Sequence, residues 1–169
     1  EDAPDLAHAV NAAGVQALNQ LIEEKPDMIV VQPADPQKYV RQLDRAVKAG
    51  IKVVEINMKS LTKTNAYVGA DWYGIASQGM DMLYQSCARK NGKSGKVALI
   101  SGTPTNPGMI IGMQAINDKL AQYKDDLELV ANQSADYDPT KAHAIAATIL
   151  KQHEDLCGFY GIWDGQDIG

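Results

Sequence analysis

Three times in 169 residues an Asx side chain is followed at once by proline, shortly after an extended segment: Asp35-Pro36, Asn106-Pro107 and Asp138-Pro139. An Asx side chain accepts hydrogen bonds from the first free N–H groups of a helix. Proline suits the first helical position, where its missing N–H would have found no partner. Each pair therefore marks a strand passing into a helix. Strands joined through helices lie parallel, and parallel sheets are expected to be covered on both faces. The recurrence reflects shared turn chemistry and is not a sequence repeat.

The remaining elements fit the same alternation. Residues 5–24 carry Leu6, Val10, Ala13, Ala17 and Leu21 at helical spacing, which predicts one apolar helix face. The run 28–32 reads as a strand buried on both faces, and 52–56 as a second strand. Val40, Leu43 and Val47 line the helix between them, which Gly50 can end. A third apolar segment, 66–70, leads to Asp71 and a helix over 73–90 through Ile75, Met82, Leu83 and Cys87. Strands follow at 97–101, 128–132 and 158–162. The helices between them carry Ile110, Met113, Ile116 and Leu120, then Ala142, Ile145, Ile149 and Leu150. The polar, glycine-containing stretch 89–96 is the expected lobe boundary, giving 1–90 to an N-terminal lobe and 91–169 to a C-terminal lobe.

Charge and composition narrow the function. The net charge of −5 opposes binding to phosphate backbones, so nucleic acid is not an expected partner. Cys87 and Cys157 form no CxxC and have no histidine at ligand spacing, so neither a zinc site nor any other metal is expected. Two buried free thiols is the ordinary reading. A disulfide stays open in an oxidising compartment, and the two cysteines are expected to lie near each other. His8, His143 and His153 fall in predicted helices and read as solvated. Gly92-Lys93-Ser94 mimics the end of a phosphate loop, but Cys87 stands where that motif needs glycine. The cluster Arg89, Lys90, Lys93 and Lys96 reads as a solvated loop. No catalytic constellation and no cofactor motif is present, so an enzyme is the least expected class.

Ligands of open α/β sheets bind beyond the carboxyl ends of the strands. That edge carries Gln32, Asn57, Asp71, Trp72, Ser101, Asn106, Tyr137, Trp163 and Asp164. Carboxylates and amides take hydroxyl hydrogen bonds, and Trp and Tyr faces stack on C–H surfaces, so the set suits a neutral polyhydroxylated ligand. Against that stands a plainer account, in which the tryptophans are packing and the aspartates are helix caps.

Lys25–Pro36, Ala49–Asn57 and Tyr67-Val68-Gly69-Ala70-Asp71 resemble, in order, segments of type I periplasmic sugar-binding proteins, the ribose-binding-like receptors of bacterial ABC importers. Gly95–Ile100 with Asn106 and Gly112, then Ala135–Asp138 and Gly161–Gly169, continue the match. The resemblance implies two Rossmann-like (flavodoxin-like) α/β lobes with parallel sheets, closing on a sugar or polyol in an interlobe cleft. It implies a periplasmic location and delivery to an ABC permease. Gln32, Asp71, Tyr137 and Trp163 fall where such proteins touch ligand, with Trp72 and Asp164 as neighbours and Asn106 in the matched loop. Met109 replaces an arginine common in the family three residues before the helix glycine, and Trp163 replaces a usual amide. Ribose is therefore not implied.

The same resemblance implies an internal fragment, since the family has a strand, helix and strand with no counterpart before Glu1 and continues past Gly169. Unpaired sheet edges would then favour partner strands or domain swapping. Two alternatives use the same lobes: the effector-binding core of a sugar-responsive transcription regulator, and a periplasmic sensor that presents its closed form to a chemoreceptor or kinase.

Overall fold

The structure is a computed structural model and describes residues 6–33 and 35–169, with side chains in the first helix from Asn11 onward. The expected helix start at Asp5, and the side chains of Leu6, His8 and Val10, lie outside the described residues. The elements run α1 (Leu6–Glu24), β1 (Met28–Val31), α2 (Pro36–Lys48), β2 (Lys52–Ile56), β3 (Ala66–Val68), α3 (Trp72–Cys87), a 3₁₀ turn (Arg89–Asn91), β4 (Lys96–Ser101), α4 (Pro107–Gln122), β5 (Glu128–Ser134), α5 (Pro139–Gln152), β6 (Gly158–Gly161) and α6 (Asp164–Asp167). They form two compact units, one up to Ala70 and one from Asp71 onward.

The first unit is a parallel sheet in the order β1-β2-β3, with Ile29 beside Val53 and Val54 beside Ala66. Leu18 and Ile22 of α1 pack with Tyr39, Leu43 and Ala46 of α2 over Ile29 and Val53. This corrects the predicted α1 stripe, because Ala13, Ala17 and Leu21 are exposed and the buried face carries Asn11, Leu18 and Ile22. The reason is Gly14: any Cβ there would collide with the Tyr39 ring, so the missing side chain admits Tyr39 and sets the helix rotation. Both helices lie on one face of the sheet. On the other, Met28 and Val30 remain 50% and 60% exposed, so β1 is not the doubly buried strand its sequence suggests.

Buried Glu55 on β2 organises the segment after the strand. One carboxylate oxygen accepts from Ser60 N at 2.8 Å and the other from Thr64 Oγ1 at 2.8 Å. Asn57 turns the chain at φ +64°, and its carbonyl accepts from the Tyr67 hydroxyl at 3.0 Å.

The second unit has a parallel sheet in the order β5-β4-β6, covered on both faces as expected. Val97 and Leu99 pack with Ala76 and Met80 of α3 and Ala115 and Ile116 of α4. Ile100 packs with Ala142 and Ile145 of α5 on the opposite face. The compact units divide between Ala70 and Asp71. The reason is α3, whose buried side chains seat it against α4 and β6. Ile75 and Met82, predicted for its core stripe, are exposed, while Ala76 and Met80 are buried.

Cys87 and Cys157 are disulfide-bonded, with Cα atoms 5.6 Å apart, which replaces the reading of two free thiols and bears out their proximity. The basic cluster is paired as well as solvated: Arg89 bridges Glu128, Lys96 bridges Asp155, and Lys90 lies 4.4 Å over the Tyr84 ring. Tyr84 stacks on Tyr123 at 3.8 Å, and the Tyr123 hydroxyl donates to Asp81 at 2.6 Å, tying α3 to α4. Lys119 and Tyr123 hold the Asp81 carboxyl below its ordinary range.

Candidate functional site: the carboxyl end of the second sheet

From β4 the chain turns to α4 on one face of the sheet; from β6 it turns to α6, which packs with α5. The two loops part above adjacent parallel strands, the arrangement that opens a ligand crevice in α/β sheets. Helix α3 begins at the same end: a Cβ on Gly112 of α4 would lie 3.8 Å from Ala76 and 3.9 Å from Ile162, just past β6. Asp71, Trp72, Asn106, Tyr137, Trp163 and Asp164 therefore share this end of the second unit. Gln32 follows β1 in the first unit and is exposed.

Local chemistry fixes several of these groups. Asp71 Oδ1 accepts from Gly74 N at 2.9 Å, Asn106 Oδ1 from Met109 N at 3.2 Å, and Asp164 Oδ1 from Gly165 N at 2.9 Å. Asp71 and Asn106 are thus helix caps, as are Asp35 and Asp138. Each of these bonds uses one side-chain oxygen.

Tyr137 and Trp163 are brought together, edge to face, with ring centroids 6.0 Å apart and planes at 79°. Trp163 remains 49% exposed, so its ring is not a plug between sheet and helix. Tyr137 is half-buried over Gly102, where any Cβ would overlap its ring, and burial raises its hydroxyl pKa above the ordinary value. Asp136 and Tyr137 both adopt left-handed backbone, at φ +54° and +65°. Consecutive non-glycine residues in that region are costly and persist only where the surroundings hold them.

Two residues here carry no signal in the sequence. Gln166 is fully buried; its Nε2 donates to Ile100 O at 3.2 Å, and its Oε1 accepts from Tyr137 N at 3.0 Å. The Asp167 carboxylate lies against Gly161, where a Cβ would overlap it. Burial raises the Asp167 pKa, a hydrogen bond with the Gln166 side chain opposes the rise, and the Asp164 charge adds to it.

A separate cavity of about 710 Å³ opens between α4 and β5, with Met109, Met113, Asn117 and Asn132 among its walls. It includes none of the seven expected ligand residues. Among the described residues no cluster of His, Cys, Asp and Glu could hold a metal, and no helix is long and apolar enough to cross a membrane.

A parallel α/β unit with helices on both faces of its sheet has Rossmann-like architecture. Residues 5–169 match the model of the periplasmic binding protein domain, and the chain belongs to that family. The ribose import binding protein of Bacillus subtilis is 26% identical over 157 residues, covering 90% of this chain and 48% of that protein. An ABC transporter solute-binding protein from Burkholderia graminis, solved with D-arabinose, superposes at a TM-score of 0.82 with 24% identity, over 92% of this chain and 53% of that one. One from Actinobacillus succinogenes, solved with D-allose, gives 0.81 and 26%, over 92% and 56%. The fold is that of type I periplasmic binding proteins, and the chain spans about half the length of the curated relatives it matches.

Proposed function

We propose that this chain is part of a periplasmic solute-binding protein that captures a sugar or polyol and delivers it to an ABC permease. The action is reversible binding without chemistry. The observation that carries the reading is the half-exposed Trp163 indole, held edge to face with Tyr137 at the strand-end edge of the second unit. Such a pair offers a stacking surface for C–H faces, and the carboxylates of Asp71 and Asp164 and the Asn106 amide offer acceptors for hydroxyls. The relatives named above, described by ribose, D-arabinose and D-allose, support the same ligand class. The disulfide favours an exported receptor over a cytosolic regulator, because such bonds persist in oxidising compartments.

The test is a thermal-shift and calorimetric screen of the natural full-length protein against aldoses and polyols. At a hundredfold excess over Kd a true ligand adds about 2.7 kcal/mol of stability. Absence of any hit among pentoses, hexoses and inositols, with the protein folded, would sink the reading.

A further inference from the structure

The seven ligand candidates are surface or strand-end groups, and none explains how Tyr137 keeps its unusual backbone. The pair Asp136–Tyr137 is left-handed, at φ +54° and +65°. Asp136 is secured locally: its N–H donates to Ser134 Oγ at 3.2 Å, and its carboxylate meets Lys141 at 3.4 Å. Tyr137 N–H has a distant partner instead, the side chain of Gln166, 29 residues away at 3.0 Å. The other end of that amide donates to Ile100 O at the end of β4. These two partners are backbone, one a donor and one an acceptor, so only one orientation of the amide satisfies both, and the same side chain also hydrogen-bonds the Asp167 carboxyl. The side chain is fully buried, and losing either bond would leave a polar group unpaired away from water.

We infer that Gln166 is a positioning residue for ligand binding: its buried amide pins Tyr137 N–H to β4, holding the Tyr137 ring over Gly102 and against Trp163. The inference rests on the sugar-binding reading for its effect on affinity, but the geometry it asserts is independent of any ligand. Gln166→Leu removes both hydrogen bonds at similar volume. Gln166→Glu keeps an acceptor for Tyr137 N–H while losing the donor to Ile100 O. Tyr137→Gly removes the ring and relieves the left-handed backbone, which glycine adopts freely.

The experiment uses the natural full-length protein well below its melting temperature, with two readouts. The first is near-ultraviolet circular dichroism without ligand: the Tyr137→Gly difference spectrum defines the signal of the aromatic pair. Gln166→Leu should reproduce most of that difference, and Gln166→Glu much less of it. The second is sugar affinity by calorimetry. Gln166→Leu should weaken binding by about tenfold, the scale of one or two lost hydrogen bonds. Gln166→Glu should recover part of it, and in the Tyr137→Gly background Gln166→Leu should cost nothing further. A folded Gln166→Leu protein with an unchanged aromatic spectrum overturns the inference, as does an affinity loss that simply adds to that of Tyr137→Gly. If the unmodified protein binds no sugar, the binding reading fails, and the spectra still decide whether Gln166 holds Tyr137.

Discussion

Cys87, the last residue of α3, is bonded to Cys157, the residue before β6, with Cα atoms 5.6 Å apart. This one link ties a helix that the sequence assigned to the first lobe into the second unit. It also fastens α3 at the amino end of β6, opposite the end where Asp71 and Trp163 lie. The crevice end of α3 is thus held by side-chain packing and its far end by a covalent bond.

The bond spans a sequence separation of 70 residues, and closing a loop of that size in the unfolded chain removes about 4 kcal/mol of conformational freedom. Cys87→Ala together with Cys157→Ala should lower unfolding stability by about 2–4 kcal/mol, read by urea denaturation. Reductant should destabilise the natural protein similarly and leave the double variant unmoved. Equal midpoints with and without reductant in the natural protein would show that the bond does not form.

Glu55 accepts hydrogen bonds from two groups of the following loop, Ser60 N–H and Thr64 Oγ1. Glu55→Ala should cost about 3 kcal/mol, since it strips charge-assisted bonds and leaves a buried N–H without a partner. Glu55→Gln should retain part of that stability because one oxygen survives as an acceptor. Hydrogen exchange should show the Ser60 amide losing protection in Glu55→Ala; full protection there would contradict the arrangement.

Asp71 has two roles that substitution can separate. Its Oδ1 caps α3 through Gly74 N–H, and its carboxylate is a proposed partner for ligand hydroxyls. Asp71→Ser keeps a capping oxygen and Asp71→Ala does not, so melting should show a loss of about 1 kcal/mol for alanine only. Sugar affinity should fall by about 1.5–3 kcal/mol in both, the range for hydrogen bonds to a charged group. Serine binding as tightly as aspartate would reduce Asp71 to a cap.

Most of the architecture was legible because its signals are local. Asp35, Asn106 and Asp138 each cap the helix that the Asx-Pro pair announced, and six apolar runs became six parallel strands. Helix rotation was less legible. In α1 the stripe through Ala13, Ala17 and Leu21 has helical spacing, yet the choice of face was made by Gly14 meeting Tyr39, a contact between distant residues. The same holds for α3, where small Ala76 faces Gly112 and the larger Ile75 is left outside. At the site, Tyr137 and Trp163 could be named from their places after strands. Gln166 could not: a lone glutamine in a short polar run has no pattern, and its role exists only once β4, the Tyr137 turn and α6 are brought together.

Asp167 gives a pH signature of opposite sign to that of a paired carboxylate. Its carboxyl lies against the Gly161 backbone; burial raises its pKa above the ordinary 3.8, a hydrogen bond with the Gln166 side chain offsets part of the rise, and the Asp164 charge adds to it. A raised carboxyl holds its proton more tightly in the folded state than in the unfolded one. The folded state therefore binds more protons between the ordinary and the raised value, and stability falls as pH rises through that window. Above the raised value the penalty is complete and constant; below 3.8 it is absent. Asp167→Asn keeps the shape and removes the charge. The variant should melt higher than the natural protein at pH 7, and the advantage should shrink as pH drops through the window and vanish near pH 3. Asp81 and Asp155, held low by Lys119 and Lys96, act oppositely in both proteins, losing stabilisation as pH falls through their depressed values, and so cancel in the difference. The measurement is the difference in melting temperature between the two proteins from pH 3 to 8. A constant difference across that range would show that the Asp167 carboxyl is not raised. A variant less stable at pH 7 than at pH 3, relative to the natural protein, would show that its charge is favourably paired instead.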